Sequence, residues 1–526
     1  MKILIFYMCL LNYMKSFDRI KPIHGRHYLY RITPYYDRER KRIRQRSEYI
    51  GPVKDGKLVQ RTAVTYSYGD LIPVMKAVRD LKLQDILSRV LGENATTVLI
   101  MAMNRVIRPE AMDLLEEWYD DSYISTIYPV SLSSSTLSRV MKAVGSMEAN
   151  HSYLNEILRV TGRSGVMYYD LTSYSSQSRN MEFLEYGYSR SEYDLPQVNV
   201  SLVESSESGI PIFYDIYPGS VVDVTTVHNT VDILKSAGVK DVTFIMDRGM
   251  FSSPNIEYML DSGVGFIMPA SYSVKEVKRI ALLSRRSIEK GGNMIRISGD
   301  IVFVQRQEIR IGKSLVNAWV YYAPGRDKME RVSFYSALHD RMDQLSRRKV
   351  RRWEKPREIA GEIMGPYLSF ISWKHDGSFH VRVRDNAVSQ RVNRCGITII
   401  TFTGDHDAQY VLSEYKKRDS VEKLFLSSKS FAGGEPLRDH GMETLRGEMF
   451  VNLITLAIRS RMLQDMRASG LLKNYSVEKM LLELHKLRKV KLQDRKEITT
   501  EITRKQKDIL EAFSIKPEHV PNFLKN

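Results

Sequence analysis

Four polar residues in the segment "YKKRDSVEKLFLSSK" have the spacing of one helix face. Tyr415, Arg418, Glu422 and Lys429 follow at intervals of 3, 4 and 7 residues, which on an α-helix is one stripe about 60° wide and about 21 Å long. Two cations, a phenol and one carboxylate along such a line could follow a phosphate backbone and hold a cation. A solvated helix face with i,i+4 ion pairs has the same pattern, so the stripe alone leaves both interpretations open.

Two aspartates occur where a sheet places catalytic groups. Asp170 lies in the strand-like segment "VMYYDLTS", and an ionised carboxylate among such apolar residues needs a cationic partner. Asp247 ends the strand-like segment "VTFIMDRG", and open α/β sheets carry their sites at the carboxyl ends of strands. A capping role would explain either aspartate alone. If the two strands are neighbours, however, the pair together with Glu422 predicts a divalent-metal site.

The segments around these residues predict an α/β catalytic region. From residue 165 the pattern is three strands, helix, strand, helix and strand, and the first three strands form a meander. Residues 272–405 break this pattern with further strands, the charged helical stretch "RRKVRRWEKPREIAGEI" and the strand pair "SFHVRVRD" and "GITIITFTG". The stripe follows after residue 405, and after it comes the amphipathic helical segment "ETLRGEMFVNLITLAIRSRMLQDM".

The two ends of the chain predict further elements. Residues 1–25 are interpreted as a leader, either disordered or strand-like, and Met14 is an alternative start. Residues 26–160 predict a hairpin rich in Arg and Tyr and then helices, a candidate DNA-binding region. An exposed ribbon of any purpose and ordinary core packing would explain those patterns as well. Residues 466–526 predict a basic helical tail.

The composition favours a polyanionic partner. The 526 residues include 79 Lys and Arg against 62 Asp and Glu, a formal net charge of +17, which suits nucleic acid better than a membrane. Two cysteines, Cys9 and Cys395, exclude a disulfide framework and a Cys-rich zinc site. The apolar start lacks a cleavage site, and no later segment has the length of a membrane span. We therefore expect a cytoplasmic, nucleoid-associated protein with no membrane partner.

These motifs together resemble the DDE transposases of the IS-four (YREK-type) insertion-sequence superfamily. The stripe matches the family signature Y-x2-R-x3-E-x6-K, the segment 170–172 matches its DxT, and the segment 247–249 matches its DRG. The segment "YPGSVVD" at 217–223 is similar to the Gly-then-Asp turn of that family. The resemblance extends from about residue 165 to 465. It implies a ribonuclease-H-like α/β catalytic domain in two parts, at 165–271 and 406–465, which a β-rich insertion domain at 272–405 interrupts.

The resemblance implies DNA cleavage and strand transfer by two-metal phosphoryl transfer. Asp170, Asp247 and Glu422 would be catalytic and would hold two Mg²⁺ or Mn²⁺ ions, which prefer oxygen ligands. Water would cut the transposon end, and the resulting 3′-OH would attack target DNA without a covalent protein–DNA intermediate. The residues implied in DNA binding are Tyr415, Arg418, Lys429, Arg248, His440 and Trp353. For Trp353 a packed surface side chain, and for His440 a local cap, are the alternatives.

The implied partners are double-stranded DNA and a second copy of the chain. The DNA would be the terminal inverted repeats of the transposon and the target, and a homodimer would hold two ends in a synaptic complex. Two other functions stay open at this stage. One is a ribonuclease-H-like nuclease that cuts without joining, and the other is a transposase-derived DNA-binding protein without catalysis.

Overall fold

The chain forms two compact units. The computed structural model describes residues 16–23, 26–37, 42–54, 56–58, 63–109, 114–163, 165–178, 181–187, 195–221, 223–297, 299–419, 423, 429, 437, 441–492 and 496–525. The first unit consists of the residues up to Tyr68 and of Leu487–Glu501, and the second of Gly69–Lys486 and Ile502–Asn526.

The first unit contains two antiparallel sheets. One has the strand order β1-β2-β3-β4, with β1 at Phe17–Ile23, β2 at Arg26–Asp37, β3 at Arg42–Lys54 and β4 at Lys57–Leu58. The other has the order β18-β17-β5, with β5 at Ala63–Ser67, β17 at Arg488–Leu492 and β18 at Glu497–Thr499.

The first unit holds the hairpin expected from the sequence and adds strands to it. Strands β2 and β3 are the Arg- and Tyr-rich hairpin, and they pair from His27↔Val53 to Asp37↔Arg42. Strand β1 lies in the segment interpreted as a leader, so that segment is strand-like at Phe17–Ile23, whereas residues 1–15 lie outside the described ones. The segment interpreted as a helical tail also contributes β17, which pairs with β5.

The second unit is built on a nine-stranded mixed sheet of order β11-β12-β13-β16-β10-β9-β6-β7-β8. Neighbouring strands are antiparallel except that β9 runs parallel to both β6 and β10. The strand bounds are β6 Gly165–Ser175, β7 Gln197–Ser205, β8 Ile210–Pro218, β9 Val242–Ile245, β10 Gly265–Pro269, β11 Met294–Ile297, β12 Asp300–Ile311, β13 Ser314–Tyr322 and β16 Ile397–Phe402. A separate hairpin consists of β14 Ile371–His375 and β15 Phe379–Val383.

Helices surround this sheet. In chain order they are α1 Leu71–Asp80, α2 Leu83–Leu91, α3 Ala95–Ile107, α4 Leu115–Asp121, α5 Ile124–Ile127, α6 Ser134–Ser146, α7 Ala149–Thr161, α8 Asp223–Ser236, α9 Ser253–Asp261, α10 Lys275–Arg285, α11 Pro324–Arg347, α12 Pro356–Met364, α13 Asp385–Val392, α14 Ala408–Lys417, α15 Met442–Ala468, α16 Val477–His485 and α17 Arg504–Ala512. Short 3₁₀ turns lie at Gly92–Asn94, Arg248–Met250, Gly291–Asn293, Gly365–Phe370, Leu471–Lys473 and Pro517–Asn522.

The region 272–405 differs from the predicted β-rich insertion domain. Strands β11, β12, β13 and β16 extend the large sheet beyond β10 instead of forming a sheet of their own. Strand β16 was expected to pair with β15, but it pairs with β13 and β10, and β15 pairs with β14. Helices α11 to α13 and the β14–β15 hairpin enclose a separate hydrophobic cluster that includes Phe334, Leu345 and Phe379. The region is therefore part sheet extension and part helical subdomain.

Helix α15 is the centre of the helical layer. It packs against α1, α3, α6 and β8, and its residues from Gly447 to Ile458 are buried on every side. The sequence suggested an amphipathic helix, whereas a helix covered all round has no solvent face. Its neighbour, the stretch Leu83–Ile107, is long and apolar enough to span a membrane, but 61% of its most apolar window is buried inside the protein, which is typical of a core segment.

A buried ion pair joins α3 to α15 and predicts a large stability effect. The Arg105 Nη2 to Glu448 Oε1 distance is 2.5 Å, and the two side chains are 11% and 10% exposed. Arg105 also donates to Asn452 Oδ1 at 2.7 Å. Glu448→Ala should lower the free energy of unfolding by about 3–5 kcal/mol, because it leaves a buried guanidinium without its carboxylate. Urea unfolding followed by circular dichroism measures this change.

An exposed ion pair provides the control for that measurement. Arg279 and Glu276 pair at 2.6 Å on α10 with side chains 60% and 31% exposed. Glu276→Ala should change the free energy of unfolding by less than about 1 kcal/mol, because water screens such a pair. Equal effects of the two substitutions would contradict the structural role assigned to the Arg105–Glu448 pair.

Candidate active site

The sheet brings the two predicted aspartates together. Strands β6 and β9 are parallel neighbours whose register ends at Tyr168↔Ile245, and Asp170 and Asp247 each lie two residues beyond that pair. Because side chains alternate along a strand, Asp170 projects on the same face as Tyr168. Asp170 is 8% exposed, whereas the side chain of Asp247 is 46% exposed. The adjacency expected from the sequence is present, and it gives the site one buried and one accessible carboxylate.

One guanidinium connects these two carboxylates. Arg418 follows the last residue of α14, and its side chain is 8% exposed. Its Nη1 lies 3.5 Å from Asp170 Oδ1, and its Nη2 lies 3.8 Å from Asp247 Oδ1. The planar fork of arginine suits such a double contact. Residues that are far apart in the chain thus form one charged cluster at the edge where β6 and β9 meet.

Tyr415 lies on the same side of α14, one turn before Arg418. The Arg418 guanidinium carbon is 5.6 Å from the centroid of the Tyr415 ring. Burial raises the pKa of the Tyr415 phenol, the Asp247 carboxylate adds to this shift, and Arg418 and Arg248 oppose it. Arg248 itself is exposed in the turn that follows Asp247. The structure therefore brings together five of the predicted site residues, namely Tyr415, Arg418, Asp170, Asp247 and Arg248.

Lys429 contacts the far end of the Asp170 strand. Its ammonium group donates to the Ser173 carbonyl at 3.0 Å and lies 5.3 Å from the centroid of the Tyr174 ring. Leu437 also reaches this end, where its amide donates to the Ser175 carbonyl at 2.7 Å. The chain that follows α14 therefore returns to strand β6 beyond Asp170.

The turn at 217–223 is fixed to the sheet by close backbone contacts. Asn199 on β7 accepts a hydrogen bond from Ser173 at 2.8 Å and donates to the Gly219 and Val221 carbonyls at 3.2 Å each. A Cβ atom at Gly219 would lie 2.2 Å from the Gln197 carbonyl oxygen, so only glycine fits at this position. The glycine of "YPGSVVD" thus lets the turn lie against β7, beside the strand that carries Asp170.

A carboxylate that the sequence analysis missed anchors α14 to β6. Glu414, only 7% exposed, accepts from the hydroxyls of Tyr168 and Ser206 at 3.5 Å each. Lys417 pairs with it at 2.5 Å. Burial raises the pKa of Tyr168, and the nearby Glu414 carboxylate adds to this shift. Because Glu414 lies one helical turn before Arg418, these contacts help to fix the Arg418 guanidinium over the aspartates.

A second group of charged residues, of which the sequence analysis named only Arg248, surrounds Tyr272. Burial raises the pKa of the Tyr272 phenol, and Arg394, Arg326 and Arg248 all oppose this shift. The Arg394 guanidinium lies 5.3 Å from the centroid of the Tyr272 ring. These cations come from segments up to 146 residues apart (394 minus 248). No local spacing in the sequence could have identified the cluster.

The structure does not place the remaining three predicted site residues at the aspartate cluster. Glu422 and His440 lie outside the described residues, so their predicted roles stay untested. Trp353 is 76% exposed on the loop between α11 and α12, and the Arg351 guanidinium lies 5.7 Å from its ring centroid. Among the described contacts, none joins Trp353 to the aspartate cluster. Its role in DNA binding stays a prediction.

The donor atoms at the aspartate cluster fit a hard divalent cation. Asp170 and Asp247 offer carboxylate oxygens, the ligands that Mg²⁺ and Mn²⁺ prefer. Both carboxylates lie within 4 Å of the same guanidinium, so one positive charge already contacts both of them. No group of three or more His, Cys, Asp or Glu side chains with metal-site geometry occurs in the part of the chain that is described. A third ligand would have to come from elsewhere, and Glu422 is the predicted one.

Comparison with known proteins gives one decisive match. Residues 158–458 match the model of the family described as transposase DDE domain. No curated protein matches the chain. A solved piggyBac transposase synaptic complex with hairpin DNA is similar at 11% identity over 80% of this chain and 79% of that chain, with a TM-score of 0.37. A Drosophila P element transposase strand transfer complex has 11% identity over 77% and 89%, with a TM-score of 0.20.

Proposed function

The chain belongs to the transposase DDE domain family, and on that premise we propose that it cuts the ends of an insertion sequence and joins the 3′-OH to target DNA. One observation carries the proposal. Asp170 and Asp247, both within the matched region, extend from adjacent parallel strands and contact the same guanidinium. Two carboxylates at one point of a sheet edge, with cations around them, suit a reaction at a phosphodiester.

The proposed mechanism assigns a separate task to each part of the cluster. Asp170, Asp247 and Glu422 would hold two Mg²⁺ or Mn²⁺ ions, and these ions would supply Lewis-acid activation and charge stabilisation for the phosphoryl transfer. Arg248 is exposed beside Asp247, where it can contact a phosphate of the bound strand. Tyr415 orients Arg418 and does not act as a nucleophile. Water is the first nucleophile, and the new 3′-OH is the second.

The proposal also includes the superfamily, the fold of the catalytic core, the DNA partner, the oligomeric state and the cellular location. The Y-x2-R-x3-E-x6-K spacing supports the IS-four superfamily, and the mixed sheet of the second unit is compatible with a ribonuclease-H-like core. The net charge of +17 supports double-stranded DNA, both inverted repeats and target, as the partner. A homodimer would hold two ends in one synaptic complex, and the protein would act in the cytoplasm at the nucleoid.

A cleavage and joining assay tests the function. The protein is incubated with labelled terminal inverted repeats, a supercoiled target plasmid and Mg²⁺, with EDTA as the control. We expect 3′-end cleavage that leaves a 3′-OH and a labelled product joined to the plasmid, because DDE chemistry needs the divalent ion for both steps. Cleavage without joining would instead identify a nuclease, and binding without cleavage a non-catalytic DNA-binding protein.

A further inference from the structure

The β2–β3 hairpin narrows to a two-stranded ribbon towards its tip. Strand β1 pairs with β2 only as far as Phe17↔Ile32, and among the described residues β4 pairs only with Val53 and Lys54 of β3. In this part of the chain, residues 33–37 and 42–46 therefore pair only with each other. We refer to these two segments as the ribbon.

The two faces of the ribbon differ. On one face the β2 residues Ile32 and Pro34 are buried, with Ile32 only 2% exposed. Because alternate residues project to opposite faces, Thr33 and Tyr35 lie on the other face. Their partners across the ribbon are Arg46 and Arg44.

Thr33, Tyr35, Arg44 and Arg46 form what we call the arginine face. Both arginines and Tyr35 are exposed, Tyr35 by 42%. The arginine face carries the groups that contact nucleic-acid backbones. Arg44 and Arg46 are about 6.8 Å apart along the strand, and Tyr35 and Thr33 lie opposite them in register. The Thr33 hydroxyl also forms a hydrogen bond with the Ser16 hydroxyl at 3.0 Å. Arginine guanidinium groups and Thr or Tyr hydroxyls are the usual side-chain donors to phosphate and sugar.

Acidic residues flank the arginine face along the ribbon, and each is in register with an arginine. Towards the tip Asp37 pairs in register with Arg42, and towards the base Glu48 pairs in register with Arg31, which also contacts Asp18 at 3.0 Å. The four residues of the arginine face carry two positive charges and no negative one, which fits a polyanion.

We propose that the arginine face binds in the major groove of duplex DNA. The major groove of B-DNA, about 12 Å wide, admits a two-stranded β-ribbon, whereas the deep and narrow groove of duplex RNA does not. The inference rests on the proposed function for its choice of DNA as the polyanion. It assigns DNA binding to the first unit, whereas the aspartate cluster belongs to the second unit. A different explanation is that the arginines only keep an exposed strand edge from aggregating.

Charge reversal separates these explanations, because it keeps the edge charged and repels phosphate. The test variant of the full-length protein is Arg44→Glu with Arg46→Glu. The matched control is Arg296→Glu with Arg310→Glu, two exposed arginines on β11 and β12 that change the net charge by the same amount. Binding to duplex DNA and to duplex RNA is titrated at several salt concentrations, and light scattering checks that both proteins stay monodisperse.

The test variant should bind duplex DNA at least about tenfold more weakly than the control at physiological salt, and its log affinity should depend less steeply on log salt by about two units. Binding of the unmodified protein to duplex RNA should be weaker than to duplex DNA. A test variant that binds DNA as tightly as the control, or a preference for RNA, would overturn the inference.

Cleavage by the unmodified protein is followed in parallel. Intact binding without cleavage would contradict the proposed function and leave this inference standing.

Discussion

Asparagine in place of Asp170 or Asp247 should reduce 3′-end cleavage at least about a thousandfold while DNA binding persists. Asparagine keeps the shape of the side chain and one acceptor oxygen but loses the charge that holds a divalent cation. Cation stabilisation of a phosphoryl-transfer transition state is worth several kcal/mol, and each 1.36 kcal/mol is about tenfold in rate. Glu422→Gln should have the same effect if Glu422 is the third ligand. The loss of cleavage is measured at saturating protein, and the loss of cation binding is measured by calorimetry with Mn²⁺.

An exposed acid provides the matched control for these substitutions. The side chain of Asp405 is 87% exposed and pairs with Arg306 at 2.6 Å. Asp405→Asn changes the charge by the same amount and should leave cleavage within about twofold, because a solvated pair contributes little. If Asp247→Asn cuts as well as the control, the assignment of the metal site is wrong. If it loses DNA binding as well as cleavage, Asp247 serves the fold or the DNA contact instead.

Local sequence patterns were sufficient to predict the strands that carry the aspartates. An apolar run predicts a strand, and a charged residue directly after it, such as Asp247, marks the carboxyl end of that strand, where α/β sheets carry their sites. Partner choice was harder to predict. Strand β16 follows β15 in the chain, yet it pairs with β13 and β10. Alternation of apolar and polar residues fixes which face of a strand is buried but not which strand lies beside it.

The break before α12 could have been predicted from one residue. The segment "RRKVRRWEKPREIAGEI" was interpreted as one charged helical stretch, but α11 ends at Arg347 and α12 begins at Pro356. Lys355, directly before the proline, has φ −98° and ψ 121°. Proline pushes the preceding residue out of the helical region by a steric clash, so Trp353 lies on a loop. Its exposure follows from that break.

The site was predictable where it depends on residue type and unpredictable where it depends on packing. The sequence predicted roles for Asp170, a carboxylate in an apolar strand, for Asp247, at a strand end, and for Arg418, on the helical stripe. It assigned Arg418 to phosphate, whereas the structure places its guanidinium between the two aspartates. Only the juxtaposition of α14 with β6 and β9 reveals that contact. The contacts of Glu414 that anchor α14 also depend on this packing, so the sequence could not predict them.

Arg418→Ala should destabilise the protein by about 3 kcal/mol in EDTA, and Mn²⁺ should restore most of that loss. The Arg418 side chain is 8% exposed and the Asp170 side chain 12%, so the substitution removes a buried cation from a buried carboxylate. A divalent ion bound by the same carboxylates would replace that charge. It would also bind more tightly than in the unmodified protein, because no guanidinium competes with it. Ligand binding at about 100 times the dissociation constant adds roughly 2.7 kcal/mol.

Thermal unfolding of the Arg418 variants with and without Mn²⁺ measures this compensation, and Arg418→Lys provides the matched control. Lysine keeps the positive charge but not the planar fork that reaches both carboxylates. The lysine variant should therefore lie between the unmodified protein and Arg418→Ala in EDTA, and it should gain less from Mn²⁺ than the alanine variant. If Mn²⁺ stabilises Arg418→Ala no more than the unmodified protein, the guanidinium and the cation do not share a site. Asp170 and Asp247 would then have to bind the ion on a side that Arg418 leaves open.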